Sequence, residues 1–410
     1  MGEFRSNIRI TSGGLTAVLS VALLGGCAAT GDQPAPGAMG QDVTAKAPAN
    51  QTAITAQLEA DMMIGPASAR ALGWRPTWTT SFQPDGGVQQ LWSTDEGVFV
   101  LDGRNELSML DTDTGLRRWR AFIADPGDQV LDLHVAPDQG LVIVLRSDAL
   151  VTVNLDTGFP EGPLNGAVPP VQRLEWLART GGVRVGSDLI YGGLGGEVVW
   201  QSWLRGFSSK AHRVGRRMGI APTTDGEVII ASSLKGTVAA LGAGSADLRW
   251  SRPLLDRLGG TPAIANDLVY IAGLDQHLRC VSLDRGKPVW TALLTAKLTS
   301  APVVLGDTVY QLNPAEGLTA WEANPTDAPD GIRRWTSSTI NGNVISSLHD
   351  RLLTFDARTG TLATASPTTG AADTTLELGD TTRVQASATR NGRLFVISDA
   401  GGIESLVPAR

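Results

Sequence analysis

Short apolar runs separated by turn residues fill most of the chain, and one pattern recurs. The segments VGSDLIY (185–191), IANDLVY (264–270) and VLGDTVY (304–310) each read as a strand, a tight turn and a second strand. The three tyrosines of the protein, Tyr191, Tyr270 and Tyr310, all hold this one register. Weaker copies place Phe99, Val142, Ile229, Ile345 and Phe395 at the same point. Successive gaps between the eight positions are 43, 49, 38, 41, 40, 35 and 50 residues. That spacing matches one four-stranded blade of a β-propeller per copy. The chain is therefore expected to be all-β: an eight-bladed propeller of four-stranded antiparallel blades, with seven blades as the alternative. The alternative arises from the seventh copy, where residues 340–360 show no obvious first strand, and residues 366–382 read as a Thr/Gly/Asp-rich loop.

A second motif follows the copies. Asp111 to Gly115 leads to Trp119, Asp284 to Gly286 leads to Trp290, Gly331 leads to Trp335, and Ala246, in the glycine's place, leads to Trp250. Asp356 to Gly360 keeps the turn but is followed by Leu362. The turn is expected between third and fourth strands, with the tryptophan wedged from the outer strand against the next blade. Trp203 belongs with a third strand and is not counted among these. The last copy, 385–408, supplies about three strands. Residues 74–82 alternate, and Trp78 lies 41 positions before Trp119. This segment is expected to close the ring as the missing outer strand, which removes the open sheet edges.

The amino terminus reads differently. Arg5 and Arg9 precede a short apolar stretch, residues 15–24, that ends in Leu24, Gly25, Gly26 and Cys27. The stretch is short for a membrane span. It resembles the bacterial lipobox, which implies a signal peptide over 1–26 and lipid on Cys27. Ala28 and Ala29 follow, and the absence of Asp there implies outer-membrane sorting by the enterobacterial rule. Residues 27–72 are expected to be a lipidated tether, with a short amphipathic helix over 52–64 from the spacing of Ile54, Leu58 and Met62. The propeller then occupies 73–410.

Composition narrows the function. A hydrophobic fraction of 42% in 410 residues supports a large core. The net charge of −7 argues against a nucleic-acid partner. The two cysteines, Cys27 and Cys280, share no CxxC spacing, and the four histidines are scattered, so no zinc site is expected. Asp111 and Asp113 could suggest a metal loop, but the turn explains them. Arg205, Lys210, His212, Arg213, Arg216 and Arg217 form the one dense basic stretch. It reads either as a solvated connector or as a docking loop, with Arg213, Arg216 and Arg217 as candidate partner contacts.

The blade repeat, with its Asp-x-x-Thr-Gly-x-x-x-Trp ends, resembles the pyrroloquinoline-quinone-type propeller repeat over about 73–410. With the lipobox, the single ring and the closing strand, the chain is similar to the BamB family of outer-membrane assembly lipoproteins. That resemblance implies a scaffold at the periplasmic side of the outer membrane, with a barrel-assembly component as partner. No enzymatic activity and no cofactor are expected. Quinoprotein oxidoreductases of the wider superfamily resemble one another in carrying a vicinal cysteine pair, which is lacking here. A ligand-binding or sensing propeller is the other alternative.

Overall fold

The computed structural model describes residues 62–82, 86–379 and 381–409. Cys27, the tether and residues 52–61 of the expected helix lie outside the described residues. Residues 62–64 form bends, and a helix follows at Pro66–Leu72.

Eight four-stranded antiparallel sheets follow one another, which settles the blade count at eight. In chain order they span residues 88–122, 130–173, 178–213, 218–253, 263–293, 303–337, 343–377 and 381–408. The eighth is completed by Trp74–Ser81, which pairs antiparallel with Gly402–Pro408, so the two ends of the ring share one sheet.

Burial explains why the middle strands lack alternation. Val98–Asp102 and Glu106–Leu110 are buried along their whole length, because neighbouring blades cover both faces. Outer strands have one covered face. Arg117–Phe122 and Leu248–Pro253 are solvated except at a central buried tryptophan, Trp119 and Trp250. The cores accordingly run between blades. Phe99, Met109 and Trp119 of blade one pack with Val142, Val151 and Leu155 of blade two.

Five of the eight joints use one device. The turn between third and fourth strands opens with a side chain that caps its own backbone. Asp111 Oδ1 accepts the N–H groups of Asp113 and Thr114, Asn154 does the same for Asp156 and Thr157, and Ser366 Oγ does so for Thr368 and Thr369. The turn closes on a left-handed residue, Gly115, Gly158, Gly286 or Gly370. The indole of the preceding blade lies on that glycine, so a Cβ at Gly286 would stand 2.6 Å from Trp250. The indole N–H then donates to a carbonyl of the turn. Trp119 reaches Leu155 O at 2.7 Å, Trp250 reaches Leu283 O at 2.8 Å, and Trp335 reaches Pro367 O at 2.9 Å.

Three joints depart from this, with Thr374 at the tryptophan position of blade seven and two others disguised in the sequence. In blade two the donor is Gln172, whose Nε2 reaches Trp203 O at 2.9 Å. In blade three Lys210 stands where the tryptophan is expected. The indole has moved to the third strand, and Trp200 Nε1 donates to Ala243 O at 2.6 Å, beside the Lys210 ammonium on Gly244 O.

Blade seven corrects the register read from sequence. Ile345 lies in the first strand, Asn343–Leu348, and Leu353 of Arg351–Asp356 takes the tyrosine position. The turn between them is His349 and Asp350, both with positive φ, a type I′ geometry carried without glycine or asparagine and so invisible as a turn signal. Asp356 to Gly360 consequently joins second and third strands. Residues 366–370 are the tryptophan-docking turn, and the expected loop contains the outer strand Ala372–Glu377. That strand is polar because its outward face is solvated.

Candidate docking face

Strand direction sorts the loops onto two faces. Turns between second and third strands share a face with the connections from blade to blade. On this face, at blades two to four, the chain exposes apolar side chains beside arginines.

The basic stretch is not a free connector. Phe207–Arg213 is the outer strand of blade three, paired with Glu197–Ser202. Only residues 214–217 connect blades three and four. Their path is fixed by backbone hydrogen bonds: Val214 N and Gly215 N donate to Gly196 O at 3.0 and 3.2 Å, and Leu234 N donates to Arg217 O at 2.9 Å. Gly196, at φ +100°, sits against this path, where a Cβ would stand 2.1 Å from Gly215 O.

The three candidate arginines separate here. Arg213 donates to the carboxylate of Glu197 at 2.6 Å, and the Glu197 side chain is only 5% exposed. Removing Arg213 would leave a buried carboxylate without its cation, so this residue serves the fold. Arg216 and Arg217 are exposed and form no ion pair among the described residues. They are held on a rigid backbone with their charges open to a partner.

Sequence reasoning missed the leucines beside them. Leu194 lies in the second turn of blade three and Leu177 in the connection leading into that blade. They are 46% and 49% exposed, and Leu194 N donates to Leu177 O at 2.8 Å. Leu255, between blades four and five, is 85% exposed. Leu177 and Leu194 border a depression of about 520 Å³ that also takes in Arg179 and Asp148. The one available signal was Leu194 preceding two glycines, an apolar residue in a turn that has no core to bury it.

The two aspartates of the first turn are engaged by arginines. Asp111 is held well below the usual carboxylate range by Arg118, 2.6 Å away, together with hydrogen bonds from Thr114. Asp113 pairs with Arg393 of blade eight at 2.7 Å. Among the described residues no group of three His, Cys, Asp or Glu side chains could hold a metal ion. Cys280 is a buried thiol in mid-strand, pushed up to about 12 by burial. No described helix is long and apolar enough to cross a membrane.

The profile of a family described as outer membrane protein assembly factor BamB matches residues 190–310 and 277–407. No curated protein matches the chain by sequence. Among solved structures, BamB from Moraxella catarrhalis aligns with a TM-score of 0.62 at 16% identity, covering 82% of this chain and 97% of that one. The computationally designed Ika8 protein aligns with a TM-score of 0.61 at 12% identity, over 79% of this chain and 96% of that one. The C-terminal WD40 domain of Sif2 aligns with a TM-score of 0.60 at 11% identity, over 82% and 99%. At these identities the structural likeness speaks for the propeller fold alone.

Proposed function

Because the chain belongs to the family of the outer membrane protein assembly factor BamB, we propose that it is a protein-binding scaffold of the cell envelope that serves the assembly of outer-membrane β-barrel proteins. In this reading lipid on Cys27 holds it at the periplasmic side of the outer membrane, and a barrel-assembly component is its partner. The ring presents a rigid surface and performs no chemistry.

The observation that carries the reading is the face at blades three and four. Leu177, Leu194 and Leu255 are exposed, while Arg216 and Arg217, on a backbone-fixed connector, have no acidic partner among the described residues. Arginine beside apolar side chains on a preorganised surface is the composition of a protein interface core. The charge suits an acidic partner surface, and the rigidity lowers the ordering entropy of association. Affinity capture from solubilised envelopes tests this. A barrel-assembly component should co-purify with the wild type. Recovery of the chain without any such component would refute the reading. The anchor is tested separately by Cys27→Ser, which should move the protein from the membrane to the soluble fraction.

A further inference from the structure

The opposite face carries a different site, independent of the scaffold reading. First and second strands are joined by two residues in blades five, six and seven, but residues 387–393 make a seven-residue loop in blade eight. That loop is tied down. Ser347 N donates to Thr389 O and Asn391 N donates to Ser347 O, both at 2.9 Å, forming a parallel bridge of Ser347 with Arg390. Ser346 Oγ donates to Ala388 O at 3.1 Å, and Trp74 Nε1 donates to Gly392 O at 3.1 Å.

The loop thereby walls a cleft of about 590 Å³ between blades six and seven. Tyr310, Leu305, Leu348 and Leu352 supply its apolar lining. Three arginines and two aspartates also line it. Arg334 is committed, its fork bidentate to Asp307 at 2.9 and 2.8 Å. That pairing holds the Asp307 carboxyl at about 2. Arg351 lies 3.7 Å from Asp373. Arg390 forms no ion pair among the described residues, and its guanidinium stands beside Gly306, where a Cβ would lie 3.3 Å from it. Asp350 is the remaining acid and stands on the rim as an exposed residue.

The geometry points to a binding site for a small amphipathic monocarboxylate, its head on Arg390 and its apolar body against the half-buried Leu305. The size suits a single small molecule. The charge balance selects the head. With Arg334 spent on Asp307 and Arg351 beside Asp373, Arg390 is the lining arginine left without a carboxylate among the described residues, so a single carboxylate matches it, whereas a dianionic phosphate would set two charges against one arginine with Asp350 on the rim. Arginine is also the side chain whose fork matches a carboxylate.

Calorimetric titration of the full chain with 3-phenylpropionate tests this, with 3-phenylpropanol as the uncharged analogue and inorganic phosphate as the head alone. The acid should bind one saturable site, and Arg390→Gln should weaken it about tenfold or more. The alcohol and phosphate should bind far more weakly, and Arg390→Gln should not change the alcohol. Arg390 is exposed and its loop is held by backbone groups, so the variant should melt like the wild type. Arg216→Gln, on the other face, should bind the acid normally. Equal binding of acid and alcohol, unchanged affinity in Arg390→Gln, or no saturable binding of the acid below about 10 mM would each overturn the site.

Discussion

The indole N–H of Trp78 donates to Thr112 O at 2.8 Å, and its ring lies on Gly115, where a Cβ would stand 2.5 Å away. This contact joins blade eight to blade one. It has the same form as the joints made by Trp119, Trp250 and Trp335. Trp78 also faces Phe395 at 6.1 Å with a tilt of 49°, as Trp119 faces Phe99 at 6.1 Å and 55°. The ring closes with the device that holds its interior together.

Trp78→Ala should therefore destabilise the ring by about 3–5 kcal/mol, as for a buried aromatic that leaves a cavity. Hydrogen exchange should rise first in Trp74–Ser81 and Gly402–Pro408. An unchanged denaturation midpoint would show that the N-terminal strand is dispensable for closure.

The joint between blades seven and eight has Thr374 at the tryptophan position, paired with Thr364. Blade eight has no covalent turn for an indole to dock on, since its third strand ends the described chain and its outer strand comes from the N-terminal side. Helix Pro66–Leu72 fills the place. Ile64, Leu72 and Trp74 are buried with Leu362, Leu378 and Leu394, and Ala409 N donates to Gly73 O at 2.8 Å. Deleting residues 62–72 should lower the melting temperature by several degrees, while deleting 28–50 should not. Equal melting temperatures would remove this role.

Glu404 sets a pH dependence. It is fully buried and accepts Ile64 N at 2.9 Å through one oxygen, while Oε1 finds no partner. Burial raises its carboxyl above the ordinary value, against the pull of the Ile64 and Met63 N–H groups. A raised acid favours the folded state most below the ordinary glutamate value of about 4.3 and loses that contribution as pH rises through its folded value. Relative to Glu404→Gln, the wild type should lose stability between acidic and neutral pH. Parallel stability curves for the two proteins would contradict this.

Much of the ring was legible because its signals are local. Tyr270 and Tyr310 follow two-residue turns whose Asn266 and Gly306 adopt left-handed conformations cheaply. The closing strand showed through Trp78, spaced like the other docking tryptophans. What failed was information held between blades. Trp200 reaches the acceptor used elsewhere by outer-strand tryptophans, a substitution that no single-strand pattern reveals. His349 and Asp350 form a turn through geometry rather than composition. The candidate face was half legible. A dense run of charge marked Arg213, Arg216 and Arg217 alike, and only the fold distinguishes the arginine neutralising Glu197 from the two left open. Leu177 and Leu194 are 17 residues apart and become neighbours through one backbone hydrogen bond.

The arginines can be separated by charge reversal. Arg213→Glu places a second carboxylate against buried Glu197 and should destabilise blade three by several kcal/mol, about the 3–5 of a broken buried pair reduced by its exposed arginine. Arg216→Glu with Arg217→Glu should leave the melting transition nearly unchanged. The opposite ranking in melting experiments would reverse the assignment of roles.

The proposed partner face is the one at Leu194, Arg216 and Arg217. The most direct measurement places a photo-crosslinking amino acid at Leu194 in intact cells, with a second protein carrying it at the exposed Phe122 of blade one. A discrete adduct with a barrel-assembly component is expected from position 194. The adduct should weaken in the Arg216→Glu, Arg217→Glu background and with rising salt in isolated envelopes. An adduct of equal strength from position 122, or one from position 194 that is indifferent to the double reversal, would contradict it.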